Sequence, residues 1–304
     1  MYAIDPAPAS AASRFWRKLR LTLEMIKFEH SVFALPFALT AALLAIRQTG
    51  PAPSEIAAKL AGIVVAMVGA RSAAMTFNRI VDAKIDARNP RTRQRQLPAG
   101  ALSVRFAHGF FLASCAVFLL AAAALNAMCL QLAPLALAVV LLYSYTKRFT
   151  AWCHLVLGVA LGIAPAAAWI AVTGSLDARI VWLTAAVTLW TAGFDIIYAC
   201  QDYEFDGSAG LFSLPRRLGI AGALWLSRAF HVGMILCLAM LWTSFAMGPL
   251  AAIGVALVAA LLVYEHTLVR ADDLSRVDAA FFAVNGWVGM LFFVFWAADL
   301  WTRR

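Results

Sequence analysis

Charged residues are scarce in this chain of 304 residues. Aspartate, glutamate, lysine and arginine together make up 13% of it, whereas hydrophobic residues make up 63%. Soluble globular domains usually contain about 25% charged residues. So few charges cannot coat a water-exposed globule of this size, which argues against a soluble protein. We therefore expect an integral membrane protein that folds as one helical bundle rather than as two soluble domains.

Paired metal-binding and redox residues are also lacking. The five cysteines are scattered along the chain without a CxxC pair, and the five histidines form no close pair. Zinc and haem ligation therefore have little support, and we expect free thiols. The net charge of +9 comes without the interleaving of basic and aromatic residues that RNA-binding proteins use. We expect no nucleic-acid partner.

Long apolar runs, in contrast, are abundant. A helix needs about 20 mostly apolar residues to cross a bilayer. Nine runs reach or approach this length, which predicts an all-α bundle of about nine transmembrane helices. The runs are residues 31–46, 56–81, 106–125, 128–145, 155–173, 180–199, 221–245, 250–263 and 279–298.

The chain before the first run has a different character. The stretch "RFWRKLRLTLEMIKFEH" has the pattern of a basic amphipathic helix that lies on a membrane surface. Glu24, Lys27 and Glu29 interrupt its apolar part, which argues against a cleavable signal peptide. We divide the chain into an N-terminal tail with an interfacial helix (1–29) and a nine-helix membrane domain (30–304).

The distribution of lysine and arginine predicts the orientation. If the N-terminus is cytoplasmic and the runs alternate in direction, the cytoplasmic segments hold 18 of the 25 basic residues and the opposite face holds five. Cytoplasmic loops of membrane proteins carry such an excess. We therefore expect a cytoplasmic N-terminus, and a cytoplasmic location for the most basic segment, residues 79–105.

Two short stretches each carry a row of acidic residues at the end of a predicted span. The row after the second span is Asn78, Asp82 and Asp86, and the row after the sixth is Asp195, Tyr198, Asp202 and Asp206. At 3.6 residues per helical turn, the members of each row share one face of a helix. Two such helices can face each other across a cavity at the cytoplasmic side.

Converging carboxylates repel one another in a low dielectric unless a cation lies between them. Oxygen ligands without thiols or imidazoles suit Mg²⁺, which usually completes its shell with water and substrate phosphates. Basic residues that can bind phosphate oxygens surround the first row and follow the fourth span. They are Lys84, Arg88, Arg91, Arg93, Arg95, Lys147 and Arg148. The pattern predicts a magnesium–diphosphate site at a membrane surface.

These residues resemble the motifs of the UbiA superfamily of intramembrane prenyltransferases. The family pairs an N-D-x-x-D-x-x-x-D motif after its second helix with a D-x-x-x-D motif after its sixth, in a bundle of nine helices. Here "NRIVDAKID" (78–86) resembles the first, and Asp202 and Asp206 match the second. "RTRQRQLPAG" and "YSYTKRFT" resemble two further loops of the 4-hydroxybenzoate branch. Arg79 departs from the family pattern, since an aspartate is usual there, and so do Gln94 and Gln96.

The resemblance implies a role for each matching residue. Mg²⁺ would be held by Asn78, Asp82, Asp86, Asp202 and Asp206. The polyprenyl diphosphate would contact Arg91, Arg95, Lys147 and Arg148. Arg71 would hold the carboxylate of an aromatic acceptor or a phosphate oxygen, and Asp195, Tyr198 and Lys147 would lie at the reaction centre.

The implied reaction is transfer of a polyprenyl group to a ring carbon of an aromatic acid, in ubiquinone or menaquinone biosynthesis. The acceptor would be of the 4-hydroxybenzoate or the 1,4-dihydroxy-6-naphthoate type. The implied location is the inner membrane of a bacterium, with the active site on the cytoplasmic side. Prenyl chain length and oligomeric state stay open.

Two other classes of protein fit the composition. A secondary transporter also places acidic residues within membrane helices, but such acids are usually near the middle of the bilayer. A receptor or scaffold gives no reason for two matched acidic rows. Both explain less of the sequence than an enzyme does.

Overall fold

The computed structural model describes residues 11–27 and 33–302, and within these ranges the chain forms helices and no strands. The predicted all-α membrane fold is confirmed. The helices are α1 (Ala11–Met25), α2 (Leu35–Thr49), α3 (Pro53–Asp86), α4 (Val104–Leu125), α5 (Ala127–Thr146), α6 (Cys153–Thr173), α7 (Val181–Ala199), α8 (Tyr203–Ala209), α9 (Leu214–Ser244), α10 (Pro249–Leu268) and α11 (Val277–Thr302).

Each of the nine predicted spans corresponds to a helix, but they differ in length. In the described part of the chain, eight helical segments are long and apolar enough to cross a membrane, whereas α2 has 15 residues. Pro36 lies in the first turn of α2, and Gly50 ends it in a left-handed conformation (φ +59°). The first two residues of the predicted first span, 31 and 32, lie outside the described residues.

Aromatic side chains and small residues hold the bundle together. The ring of Phe37 on α2 lies 5.0 Å from that of Trp190 on α7 and 5.0 Å from that of Phe292 on α11. At Gly158 on α6, an added Cβ would come within 2.3 Å of the carbonyl oxygen of Thr188 on α7. Glycine lets these two helices approach closely, as is common in membrane bundles, where packing replaces the hydrophobic effect.

The predicted N-terminal amphipathic helix is present as α1. Its Thr22 and Met25 are buried, and Met25 packs in a small cluster with Leu97 and Leu102 of the segment between α3 and α4. Phe15 and Trp16 lie on the exposed side. The helix is therefore confirmed, whereas its location on the membrane surface stays a prediction.

The second acidic row does not lie on one regular α-helix, so the prediction of a single helix for this row is wrong. The helix α7 ends at Ala199, a 3₁₀ turn covers Cys200–Asp202, and α8 begins at Tyr203. Such turns commonly join helices. The carboxylate of Asp202 is bound by the segment that follows α3, and helical periodicity along the chain carries no information about that contact.

Candidate active site

A cavity of about 780 Å³ lies where α3, α5 and α7 end. Eleven of the twelve predicted site residues line it, and the twelfth, Arg148, binds one of them. The eleven are Arg71, Asn78, Asp82, Asp86, Arg91, Arg95, Lys147, Asp195, Tyr198, Asp202 and Asp206. The two acidic rows therefore face each other across one space, as the sequence predicts.

Asp82 joins α3 to the segment after α5. Its carboxylate lies 3.2 Å from Nζ of Lys147 and 2.7 Å from a guanidinium nitrogen of Arg148. Asn78, one turn earlier on α3, donates from Nδ2 to the same carboxylate at 3.1 Å. The side chain of Asp82 is almost fully buried, and a buried charge needs such partners.

Asp86 is bound by the segment that follows its own helix. Nη1 of Arg95 donates to both carboxylate oxygens of Asp86, at 2.8 and 2.9 Å. The hydroxyl of Thr92 donates to the backbone oxygen of Asp86 at 3.1 Å. The chain therefore turns back over the end of α3 and brings its arginines to the cavity.

Asp202 connects the two halves of the site. Nε of Arg91 donates to Oδ1 at 3.0 Å, Nη2 donates to Oδ2, and Nη1 donates to the hydroxyl of Tyr198 at 3.0 Å. Burial lowers the pKa of Arg91, but the hydrogen bond and charge of Asp202 raise it, and the net shift is upward. Arg91 therefore remains a cation.

Asn89 was not among the predicted site residues. Its Nδ2 donates to Oδ1 of Asp202 at 3.1 Å, and its Oδ1 accepts from the backbone N–H of Arg91 at 2.9 Å. An asparagine directly before Pro90 is a signal for a turn of this kind. That signal predicts the local turn but not the contact with Asp202.

Asp195 has a partner that the sequence analysis also missed. Nδ1 of His154 on α6 lies 2.7 Å from Oδ2 of Asp195 on α7. The backbone N–H of Leu214 donates to Nε2 of the same imidazole at 3.3 Å. Because Nε2 accepts a hydrogen bond, the proton of a neutral ring is on Nδ1 and is donated to Asp195. No sequence signal connects the two residues, which are 41 positions apart.

Asp206 and Lys147 complete the polar end of the cavity. Asp206 is buried on α8, and its backbone oxygen accepts from the N–H of Leu211 at 2.9 Å. The backbone oxygen of Lys147 accepts from the N–H of Phe212 at 2.8 Å. The segment after α8 therefore packs against the end of α5 and closes this side of the site.

Two arginines of α3 contact the C-terminal end of α1 and the residues just after it. Nη2 of Arg71 donates to the backbone oxygen of Lys27 at 3.2 Å, and Nε of Arg79 donates to that of Met25 at 3.3 Å. Arg79 therefore binds the end of α1 at the position where the family motif has an aspartate. Its buried guanidinium makes a structural contact that an aspartate cannot make.

The donor atoms fit Mg²⁺ in their chemistry. The two rows supply five carboxylates, one amide and one phenol hydroxyl to the same cavity, and their oxygens are ligands of the type that hard cations prefer. In the chain as described, no three residues of His, Cys, Asp or Glu are close enough to form a metal cage. Mg²⁺ usually takes one or two carboxylates and completes its shell with water and substrate phosphates, so the set fits an ion that binds together with a phosphate group.

A second, apolar cavity of about 260 Å³ adjoins the first. Helices α3, α4, α5 and α6 enclose most of it, largely with Ala, Val and Leu side chains. Six residues line both cavities, so the two adjoin each other there. The shared residues are Arg71, Met75, Asn78, Tyr143, Leu157 and Leu161.

Comparison with known proteins agrees with this geometry. Residues 34–297 match the UbiA prenyltransferase family. The chain belongs to this family. The prediction of an enzyme of the prenyltransferase class is therefore confirmed, and the transporter and scaffold alternatives lose their support. The chain is therefore an integral membrane protein of the UbiA family. Its two acidic rows line the cavity of about 780 Å³.

Two curated relatives have the same name. The chain is 31% identical to 4-hydroxybenzoate octaprenyltransferase of Vibrio atlanticus, over 77% of the chain and 83% of that protein. It is 29% identical to the enzyme of the same name from Methylococcus capsulatus, over 96% of the chain and 97% of that protein.

Solved structures of UbiA homologues have the same fold. The apo structure of a homologue from Aeropyrum pernix has a TM-score of 0.80 and 35% identity, and the match covers 89% of this chain and 98% of that one. A homologue from Archaeoglobus fulgidus, bound to GPP and Mg²⁺, has a TM-score of 0.71 with 92% and 99% coverage. At 19% identity this second likeness shows the fold alone.

Proposed function

We propose that this UbiA family member transfers a polyprenyl group from polyprenyl diphosphate to a ring carbon of 4-hydroxybenzoate, with Mg²⁺ as cofactor. One observation carries the proposal. A cavity lined by two acidic rows and several cations adjoins an apolar cavity between four helices. A molecule with a diphosphate at one end and a long isoprenoid chain at the other matches both parts. The relatives named 4-hydroxybenzoate octaprenyltransferase support the choice of acceptor.

The diphosphate would bind at the polar end. Arg91, Arg95, Lys147 and Arg148 are each bonded to a carboxylate of the two rows. Arginine binds phosphate oxygens through paired N–H donors, and lysine binds them as a point charge. When a diphosphate enters, these cations would turn from the acids toward its oxygens.

The freed carboxylates would then be available to the metal. Asn78, Asp82, Asp86, Asp202 and Asp206 would hold Mg²⁺, which supplies Lewis-acid neutralisation of the leaving group when bound. The homologue bound to GPP and Mg²⁺ supports this combination of ligands. Because the protein offers no dedicated cage, we expect metal and diphosphate to bind together rather than separately.

The remaining residues would act on the reacting carbon. The bond between C1 of the isoprenoid and the diphosphate oxygen breaks, and the ring carbon next to the phenolic carbon bonds to C1. The face of Tyr198 would stabilise the developing positive charge on C1 by about 0.5–2 kcal/mol. Asp195, oriented by His154 at 2.7 Å, would accept the proton that the ring carbon loses. Arg71, near the junction of the cavities, would bind the acceptor carboxylate.

The site would lie on the cytoplasmic side of the inner membrane of a bacterium. The excess of basic residues on that face supports this orientation. The exposed Phe15 and Trp16 and the basic residues of α1 support an interfacial position for that helix. Polyprenyl diphosphate in the bilayer and a water-soluble acceptor could then reach the same cavity.

Product analysis tests the proposal. Membranes that contain the protein are incubated with Mg²⁺, one polyprenyl diphosphate and either 4-hydroxybenzoate or 1,4-dihydroxy-6-naphthoate, and the lipids are analysed by mass spectrometry. We expect a prenylated 4-hydroxybenzoate, absent from membranes that contain the Asp82→Ala variant at equal protein level. Product from the naphthoate alone would reassign the acceptor. Absence of product from both acceptors, with a 4-hydroxybenzoate octaprenyltransferase active in parallel, would contradict the proposal.

A further inference from the structure

The last helix, α11, contains a π-helical turn beside the large cavity. The turn covers Ala280–Val284. A π turn inserts one extra residue into a helix and is found frequently at functional sites, because it changes the direction of the side chains it carries. Phe281 and Phe282 belong to this turn, and both line the cavity.

These two rings continue an aromatic surface that begins on α7. The ring of Phe281 lies 4.3 Å from that of Tyr198 and 5.3 Å from that of Phe194, and the ring of Phe282 lies 4.8 Å from that of Phe281. We call Phe194, Tyr198, Phe281 and Phe282 the aromatic wall. The hydroxyl of Tyr198 accepts a hydrogen bond from Arg91, so the wall meets the polar end of the site.

A side chain outside the cavity holds the π turn in place. Asn285 directly follows the turn and is fully buried. Its Nδ2 donates to the backbone oxygens of Ala280 and Phe281, both at 3.2 Å. Backbone oxygens in a π turn bond to the N–H five residues on rather than four, and the amide of Asn285 gives two of these oxygens an additional donor. The conformation of the turn therefore depends on the position of this amide.

The amide of Asn285 is itself held by two other helices. One of the two N–H groups on Nδ2 donates to Oε1 of Glu265 on α10 at 2.8 Å, so the backbone oxygens of Ala280 and Phe281 share the other. The Oδ1 accepts from the indole N–H of Trp190 on α7 at 2.6 Å. All three residues are fully buried. A polar group without a partner is costly in such surroundings, so the three fix one another.

Resting on the proposed function, we propose that Asn285 and Glu265 are positioning residues that hold the aromatic wall against the reacting carbon. The cation formed at C1 is attacked by any water within reach. In that side reaction the oxygen of water bonds to C1, a proton is released, and polyprenol is formed in place of the prenylated acceptor. Neither Asn285 nor Glu265 lines the cavity, and both act through the π turn that carries Phe281 and Phe282.

The test measures how the carbocation is divided between reaction with water and reaction with the acceptor. Membranes that contain each variant are incubated in H₂¹⁸O with Mg²⁺, polyprenyl diphosphate and the aromatic acceptor. Mass spectrometry then gives the ratio of ¹⁸O-polyprenol to prenylated acceptor. Label in the alcohol reports C–O cleavage in the active site. Contaminating phosphatases cleave the P–O bond and leave the alcohol unlabelled, so they do not affect the ratio.

The variants are Asn285→Leu and Phe281→Leu, with Asp299→Asn as a matched control. Asp299 is also buried and also joins α11 to α10, because its carboxylate accepts from the N–H of Gly248 at 2.7 Å and from that of Leu250 at 3.2 Å. It lies 14 residues further along the helix than Asn285, about 21 Å away. Its loss perturbs the same pair of helices at a distance from the wall.

We expect the ¹⁸O ratio to rise at least fivefold in Asn285→Leu and Phe281→Leu and to stay at the wild-type value in Asp299→Asn. An unchanged ratio in Phe281→Leu, or an equal rise in all three variants, would overturn the proposal. If wild-type protein makes no prenylated aromatic at all, the proposed function fails instead, and the two failures are thus distinguishable.

A second pair of variants protects the test against loss of folding in Asn285→Leu. Glu265→Gln keeps an oxygen that can accept from Asn285, whereas Glu265→Leu removes it. We expect the first to retain the wild-type ratio and the second to raise it as Asn285→Leu does. A raised ratio in Glu265→Gln, or an unchanged one in Glu265→Leu, would show that the contact with Asn285 does not position the wall.

Discussion

Nη1 of Arg95 donates to both carboxylate oxygens of Asp86, at 2.8 and 2.9 Å. Asp82 and Asp202 are paired with cations in the same manner. Each of these three acids in the cavity is therefore paired with at least one cation. A metal ion and a diphosphate that arrive together can exchange partners with these pairs, whereas a metal ion alone must break them without compensation.

This pairing predicts that Mg²⁺ and diphosphate stabilise the protein cooperatively. We expect millimolar Mg²⁺ or inorganic diphosphate alone to change the unfolding temperature in detergent by less than about 1 °C. The two together should raise it by several degrees, because a ligand at 100 times its Kd contributes about 2.7 kcal/mol. EDTA should abolish the rise. A full shift with Mg²⁺ alone would instead indicate a preformed metal cage.

Asp82 is expected to be essential for turnover. The Asp82→Asn variant keeps the size of the side chain but removes the charge that Lys147 and Arg148 share. We expect its initial rate of prenyl transfer to fall at least about 100-fold, the loss caused by removing a central electrostatic contact. Asp272 is exposed in the segment after α10. The Asp272→Asn variant makes the same chemical change away from the site, and it should retain the wild-type rate. Wild-type turnover in Asp82→Asn would remove this residue from the site.

Arg91 is expected to act through its geometry as well as its charge. Arg91→Lys keeps the charge but removes the planar set of donors that bonds both carboxylate oxygens of Asp202 and the hydroxyl of Tyr198. Hydrogen bonds to charged groups contribute about 1.5–3 kcal/mol, so we expect the KM for polyprenyl diphosphate to rise tenfold or more. Arg93→Lys changes an exposed arginine of the same segment and should leave KM unchanged. Equal effects of the two variants would mean that only the net charge of the segment matters.

The contact between α6 and α7 predicts a position that tolerates no side chain. In Gly158→Ala the new Cβ would lie 2.3 Å from the backbone oxygen of Thr188, so the helices must separate. We expect a loss of about 1–3 kcal/mol in the free energy of unfolding, the usual cost of overpacking. Gly109→Ala on α4 is the control, since nothing lies within 4 Å of its new Cβ. Thermal unfolding in detergent measures both, and equal unfolding temperatures would contradict the close approach.

Much of the fold and of the site can be predicted from local sequence patterns. Apolar runs of about 20 residues predict membrane helices because lipid leaves the backbone no partner other than itself. The four-residue spacing of Asn78, Asp82 and Asp86 predicts a shared helix face, and α3 continues through all three. These predictions depend only on periodicity and composition.

The remaining features depend on contacts between distant segments. The bonds of Asp202 with Asn89 and Arg91, the bond between His154 and Asp195, and the bond between Asn285 and Glu265 all join residues 20 or more positions apart. The periodicity of residues along the chain does not indicate these contacts. Asn89 is intermediate, since its place before Pro90 predicts a turn but not the carboxylate of Asp202 that the turn approaches.

The adjacency of the two cavities has a kinetic consequence. Arg71 and Tyr143 are among the residues that line both cavities. A molecule bound in both would have a charged end beside the acidic rows and an apolar end between the helices. A substrate of that shape dissolves in the bilayer and reaches the enzyme by diffusion in the plane of the membrane. Its half-saturation point is then a mole fraction of the surrounding membrane. Diluting the vesicles in buffer should leave that value unaltered, while diluting the prenyl lipid with other phospholipids should slow the reaction.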